Sequence, residues 1–111
     1  MKNERIRVVI KEPGQDPKRR TIANNLRALQ NIVGGYIETV TISETIGGPK
    51  LVIICDEEGV LKGKEFNCRI AGIPFCGTII AIGAEGEEFT DSPVTPYELT
   101  LRWLLPKGAD P

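Results

Sequence analysis

The chain has 111 residues, 41% hydrophobic and 26% charged, with a formal net charge of −1 and no histidine. That length and composition point to one soluble domain with its own core, and the near-zero charge gives no global pull toward nucleic acid or anionic membrane. The missing imidazole excludes histidine metal ligands and every His-dependent triad or acid–base mechanism.

The N-terminal pattern MKNERIRVVIK interleaves charge with apolar residues. It lacks the unbroken apolar core of a signal peptide. No apolar run nears the ~20 residues that span a bilayer, so no membrane association is expected. Within this pattern Ile6, Val8 and Ile10 alternate with Arg5, Arg7 and Lys11, which predicts a half-buried strand over Glu4–Lys11. The segment EPGQDP is a turn, and Lys18–Ile22 returns as the second strand of a hairpin.

Asn24 or Asn25 offers an N-cap for a helix whose stripe is Leu26, Leu29 and Ile32 or Val33. Gly34 and Gly35 stop that helix at Val33. Strands are expected at Tyr36–Ile42, Leu51–Asp56 and Gly77–Gly83, the second buried on both faces. Glu44–Lys50 is a turn, and Val60–Pro74 has no clear period and reads as mostly irregular. The stretch AEGEEFTDSPV reads as an acidic loop. Thr95-Pro96-Tyr97-Glu98 fits a capping box, opening a last helix with Tyr97, Leu101, Leu104 and Leu105 on one face. Pro106 ends it, which leaves a domain over 1–105 and a loose tail over 106–111. The order predicts an α+β single domain: a mainly antiparallel sheet of about five strands, with two helices packed on one face.

The segments LRALQNIVGGYIETV (Leu26–Val40), VIICDEEGVLKG (Val52–Gly63) and GTIIAIG (Gly77–Gly83) follow EPG (Glu12–Gly14) in that order. Together they resemble the uncharacterised family catalogued as domain of unknown function 3846, over about Arg5 to Phe89. The resemblance implies small proteins of phages, plasmids and other mobile elements of bacteria, with no established activity, cofactor or catalytic residue to carry over. Where the family often has LPPNRR, this chain has KEFNCRI (Lys64–Ile70), retaining Asn67 and Arg69 but not the prolines.

Candidate sites follow from residue type. Gly34 and Gly35 trail a helix rather than precede one, so they read as structural cap glycines and not as a phosphate cradle. Glu38 shares a face with Tyr36, Val40 and Ile42 if the strand is regular; alternatively Ile37 faces the core, and Tyr36 and Glu38 look outward. With Asn67 and Arg69 these make a candidate polar site around Tyr36 and Glu38. Asp56, Glu57 and Glu58 carry oxygen ligands but lack a spaced calcium-loop pattern. A solvated charged turn competes with a divalent-metal or small-molecule site there, and no metal or cofactor is assigned.

Residues 1–30 carry eight basic and three acidic side chains, and the remainder six and twelve. Arg5, Arg7, Lys11, Arg19 and Arg20 therefore form a candidate phosphate-contacting ribbon, set against the ordinary use of edge charges to prevent aggregation. Aromatics at 5% give little for base stacking. Cys55, Cys68 and Cys76 cannot all pair within one chain and match no zinc spacing, which fits a reduced cytoplasmic setting. Cys76 has no adjacent base to activate it. Trp103 serves core packing or a dimer contact. The leading expectation is a non-enzymatic accessory domain that binds a macromolecular partner. Nucleic-acid binding is the alternative, and a homodimer is compatible with either.

Overall fold

The structure is a computed structural model that describes residues 4–43 and 48–104. The expected tail over 106–111, Leu105, and most of the turn over 44–50 lie outside the described residues.

Strand β1 (Arg5–Lys11) pairs antiparallel with β2 (Lys18–Ala23), as the hairpin pattern requires. Helix α1 (Leu26–Val33) starts at Asn25, whose side chain accepts the Ala28 N–H at 2.8 Å. Strand β3 (Ile37–Ser43) pairs with β4 (Lys50–Asp56), and β4 pairs with β7 (Ile79–Glu85). Between them, β5 (Phe66–Ile70) and β6 (Ile73–Cys76) form a separate hairpin, and β8 (Glu88–Thr90) pairs with the C-terminal residues of β7, beyond the stretch that pairs with β1. The main sheet runs β2-β1-β7-β4-β3, with β8 paired to β7.

The sheet thus has six strands among the described residues rather than five. The expectation of irregular chain over Val60–Pro74 is corrected by β5 and β6. Their turn is Ala71-Gly72, both at positive φ (53° and 80°), which is the twist a two-residue hairpin needs. The acidic loop likewise contains β8, which turns back from β7 at Gly86 and Glu87.

The period of two sorts side chains to the two faces of the sheet. Ile6, Val8, Val52, Ile54, Ile80 and Ile82 meet Leu29 and Val33 of α1 on one face. Val9, Leu51, Ile53, Ile79 and Ala81 meet Ile70 and Phe75 of the hairpin and Leu99 of the last helix on the other. The helices therefore lie on opposite faces, not on one. β4 and β7 carry apolar side chains on both faces because each face is covered.

The last helix, α2, runs as an α-turn over Pro96–Leu99 and continues with π-helical geometry over Thr100–Leu104. The capping box at Thr95 and Glu98 is present, with both reciprocal hydrogen bonds. The wider turn shifts the buried face. Leu99, Trp103 and Leu104 pack inward, while Tyr97 and Leu101 are exposed, contrary to the expected stripe. No helix among the described residues is long and apolar enough to cross a membrane.

Candidate functional site

The centre of interest lies where α1 ends and β4 ends, side by side. Helix α1 closes at Gly34, whose φ of 84° is the left-handed conformation that glycine adopts without a Cβ penalty. The N–H groups of Gly34 and Gly35 both donate to the Gln30 carbonyl, at 2.7 and 3.2 Å. The carbonyls of Val33 and Gly34 then point past the helix end, carrying its partial negative charge.

Two lysines from the loop after β4 meet them. Lys64 Nζ donates to the Val33 carbonyl at 2.7 Å, and Lys62 Nζ to the Gly34 carbonyl at 3.2 Å. Both ammonium groups also pair with Asp56 Oδ2, at 2.7 Å from Lys64 and 2.8 Å from Lys62. Asp56 Oδ1 accepts the Glu58 N–H at 2.8 Å. Asp56 is 5% exposed, the one buried charged side chain among the described residues.

A lone buried carboxylate would be strongly disfavoured. Burial does push the Asp56 carboxyl upward. The Lys62 and Lys64 hydrogen bonds, the Glu58 N–H and the Lys64 charge outweigh that and hold it well below the usual carboxylate range. Lys62 is shifted upward by the same hydrogen bond.

The glycine pair is shaped to this cluster. A Cβ on Gly35 would lie 2.6 Å from Lys62 Nζ and 2.8 Å from both Asp56 carboxylate oxygens. A Cβ on Gly34 would lie 2.8 Å from Lys64 Nζ. Gly34 ends the helix, and Gly35 leaves space for the ions.

The cluster ties down the loop over 57–65. Backbone bonds Gly59 N–H to Asp56, Lys62 N–H to Glu58, Gly63 N–H to Val60 and Lys64 N–H to Gly59 fold it on itself. Gly59 sits against β6, where a Cβ would meet the Cys76 carbonyl at 2.9 Å. This anchored loop turns Val60 and Leu61 into solvent, 78% and 86% exposed. Val60 also lines a depression of about 190 Å³ with Glu38, Val40, Ile73 and Pro74.

The candidate basic residues do not form one surface. Arg5, Arg7, Lys11 and Arg19 lie on one face of the β1–β2 ribbon, whereas Arg20, opposite Val8, lies on the other. Arg7 is paired with Asp91 at 3.2 Å and also donates its backbone N–H to that carboxylate at 2.7 Å. These bonds draw the Asp91 carboxyl downward. Lys11 Nζ donates to Asn67 Oδ1 at 2.9 Å.

The candidate polar residues also separate. Asn67 is the extra residue of a bulge in β5, and its amide donates to the carbonyls of Lys11 and Gly77, both at 2.8 Å. It latches the hairpin to β1. Arg69 is exposed on that hairpin. Tyr36 is exposed beside Gly35 and Lys62 in a shallow groove at the end of α1. Glu38 shares the face of Val40 and Cys55, and as part of an edge strand it reaches solvent. The solvated turn expected over Asp56–Glu58 holds for Glu57 and Glu58, but Asp56 points inward. Among the described residues no group of three or more Cys, Asp or Glu side chains is arranged to hold a metal ion.

The places of Lys62, Lys64, Val60 and Leu61 in this arrangement were not legible in the sequence. The available signal was an apolar pair in a glycine-flanked loop, directly after a strand ending in aspartate. Cys55, under the same loop, has its thiol pushed up to about 11 by burial and by the Glu38 and Asp56 charges, which favours the neutral thiol over the thiolate.

Searches of curated proteins and of solved structures gave no match. A family model does match, over residues 6–101, from within β1 into the last helix. The chain belongs to the family described as Domain of unknown function (DUF3846).

Proposed function

We propose that this protein is a non-enzymatic binding module that presents the Val60–Leu61 loop to a protein partner. One observation carries the reading: two large apolar side chains stand in solvent on a loop held by a buried aspartate paired with two partly exposed lysines. Exposed apolar side chains on a rigid support are the usual makings of an interaction surface. An ordered loop also loses less entropy on binding than a loose one.

An accessory role in the cytoplasm of a phage- or mobile-element-bearing bacterium goes with this reading. It draws on the family resemblance and on cysteines without disulfides. The nucleic-acid alternative draws less support, because Arg7 and Lys11 are engaged internally and Arg20 lies on the opposite face. A metal site at Asp56 draws less still, since its carboxylate is already held by two lysines and an N–H.

The test compares wild type with Val60→Asp and Leu61→Asp in affinity capture from host lysate, followed by reconstitution with the purified captured protein. A partner that binds wild type in purified form and loses at least about tenfold in affinity with either variant supports the proposal. Equal binding by all three sinks it. A gel shift at low salt examines the alternative, because phosphate contacts strengthen as salt falls.

A further inference from the structure

We infer that the outer edge of β3 receives an extended segment of the partner as an added strand of the sheet, with an apolar and a basic side chain two residues apart so that both lie on one face. This deepens the reading of the chain as a protein-binding module and rests on that part of it, not on the loop. It names the partner's chemistry and its mode of attachment.

The two edges of the main sheet differ. β2 closes one side with Lys18, Arg19 and Arg20, the kind of charge that discourages strand pairing. β3 closes the other with IETVTIS, seven residues without proline, lysine or arginine. The Tyr36 carbonyl accepts the Glu57 N–H at 2.9 Å, toward the β4 side. Alternation along the strand then directs the N–H and C=O groups of Ile37, Thr39 and Thr41 away from β4. Among the described residues no strand pairs with this edge.

The flank of that edge supplies the side-chain selectivity. Glu38 and Val40 face the depression that Val60 and Ile73 also line. A strand added ~4.8 Å from β3 would set alternate side chains along this face. An apolar one would cover Val40 and approach Val60 and Ile73. A basic one would meet Glu38, with Glu57 nearby on the same depression. Neither carboxylate has an ion-pair partner among the described residues. Main-chain bonds give affinity and alternate side chains give selectivity, as in strand addition generally.

The probe is a ten-residue valine–lysine peptide built on the repeat Val-Thr-Lys-Thr, which sets valine and lysine on one face of the added strand and threonine on the other. It is compared with a valine–glutamate peptide and with a valine–lysine peptide N-methylated on its pairing edge. Binding is followed by amide chemical shifts and hydrogen exchange on the whole protein. Saturable binding of the valine–lysine peptide is expected, with slowed exchange at Thr39 and Thr41. Both control peptides should bind at least about tenfold more weakly, because each lacks a hydrogen-bond row or an ion pair.

Thr39→Pro removes one outward N–H at an edge position that tolerates proline, and Glu38→Lys reverses the charge. Each should weaken binding about tenfold or more. If Thr39→Pro does not fold, the N-methylated peptide tests the same hydrogen bonds from the other side. Equal binding of methylated and unmethylated peptides overturns the inference, as does no binding at all. Exchange protection of β3 without peptide, together with a dimer in sedimentation, also overturns it by making a second copy the occupant. Partner capture separates the two readings. Loss with Leu61→Asp but not Thr39→Pro overturns strand addition and leaves the loop reading standing. Loss with Thr39→Pro but not Leu61→Asp supports strand addition and sinks the loop reading.

Discussion

Lys64 Nζ lies 2.7 Å from the Asp56 carboxylate, and the same ammonium caps the Val33 carbonyl at 2.7 Å. One side chain thus joins the end of β4, the loop after it and the end of α1. The contact spans elements 31 residues apart in sequence. It ties the Val60–Leu61 loop, through its own Lys62 and Lys64, to a buried carboxylate at the end of β4.

Asp56→Asn keeps the shape of the side chain but removes the charge both lysines share. It should lower unfolding free energy by about 2–3 kcal/mol, the scale for hydrogen bonds to charged groups at a buried site. The midpoint of urea denaturation would fall with the slope unchanged. Exchange of amides in the loop over 57–65 should rise more than exchange in β7, because the loop loses its anchor.

The same carboxyl predicts a pH dependence. Its folded value is depressed below the unfolded one, so the stabilisation is present above the unfolded value and lost as pH falls toward the folded one. Stability should therefore decline below about pH 4, the ordinary aspartate value. Asp91, depressed by its bonds to Arg7, adds to the decline. Urea melts from pH 7 to pH 2 should show a shallower slope in Asp56→Asn than in wild type. Identical slopes would mean that the ion cluster does not form in solution.

Gly35→Ala adds one methyl group into the ions. Its Cβ would fall within 2.8 Å of Asp56 and Lys62, with no positive φ to confound the effect. The substitution should cost about 1–3 kcal/mol, as overpacking does. In an Asp56→Ala background the cost should shrink, and a double-mutant cycle measures the coupling. Additive effects would show that Gly35 is required for some other reason.

Ala71 occupies a left-handed turn position at φ 53°, where a Cβ is disfavoured. Ala71→Asn should stabilise the β5–β6 hairpin by about 0.5–1 kcal/mol, since asparagine tolerates this conformation. A rise of a few degrees in Tm is the expected reading. A fall would indicate that the turn has another geometry.

Much of the framework was legible because it depends on short-range rules. Alternation in β1, the Asn25 cap, the glycine stop after Val33 and the Thr95–Glu98 capping box are each decided within a few residues. The β5–β6 hairpin was not legible, because Asn67 bulges out of its strand and breaks the period of two, leaving Ala71-Gly72 as a weak turn signal. The last helix is signalled at its start, but its buried face is not, because π-helical spacing displaces the stripe.

The site divides in the same way. That a helix must end at Gly34 follows from the chain itself, since glycine alone takes a left-handed cap at no steric cost. That Gly35 must lack a side chain does not follow, because the obstruction comes from Asp56 and Lys62, 21 and 27 positions further on. Local backbone preference is written residue by residue. The burial of a carboxylate between two lysines exists only once β4 is laid beside α1, where desolvation makes pairing obligatory.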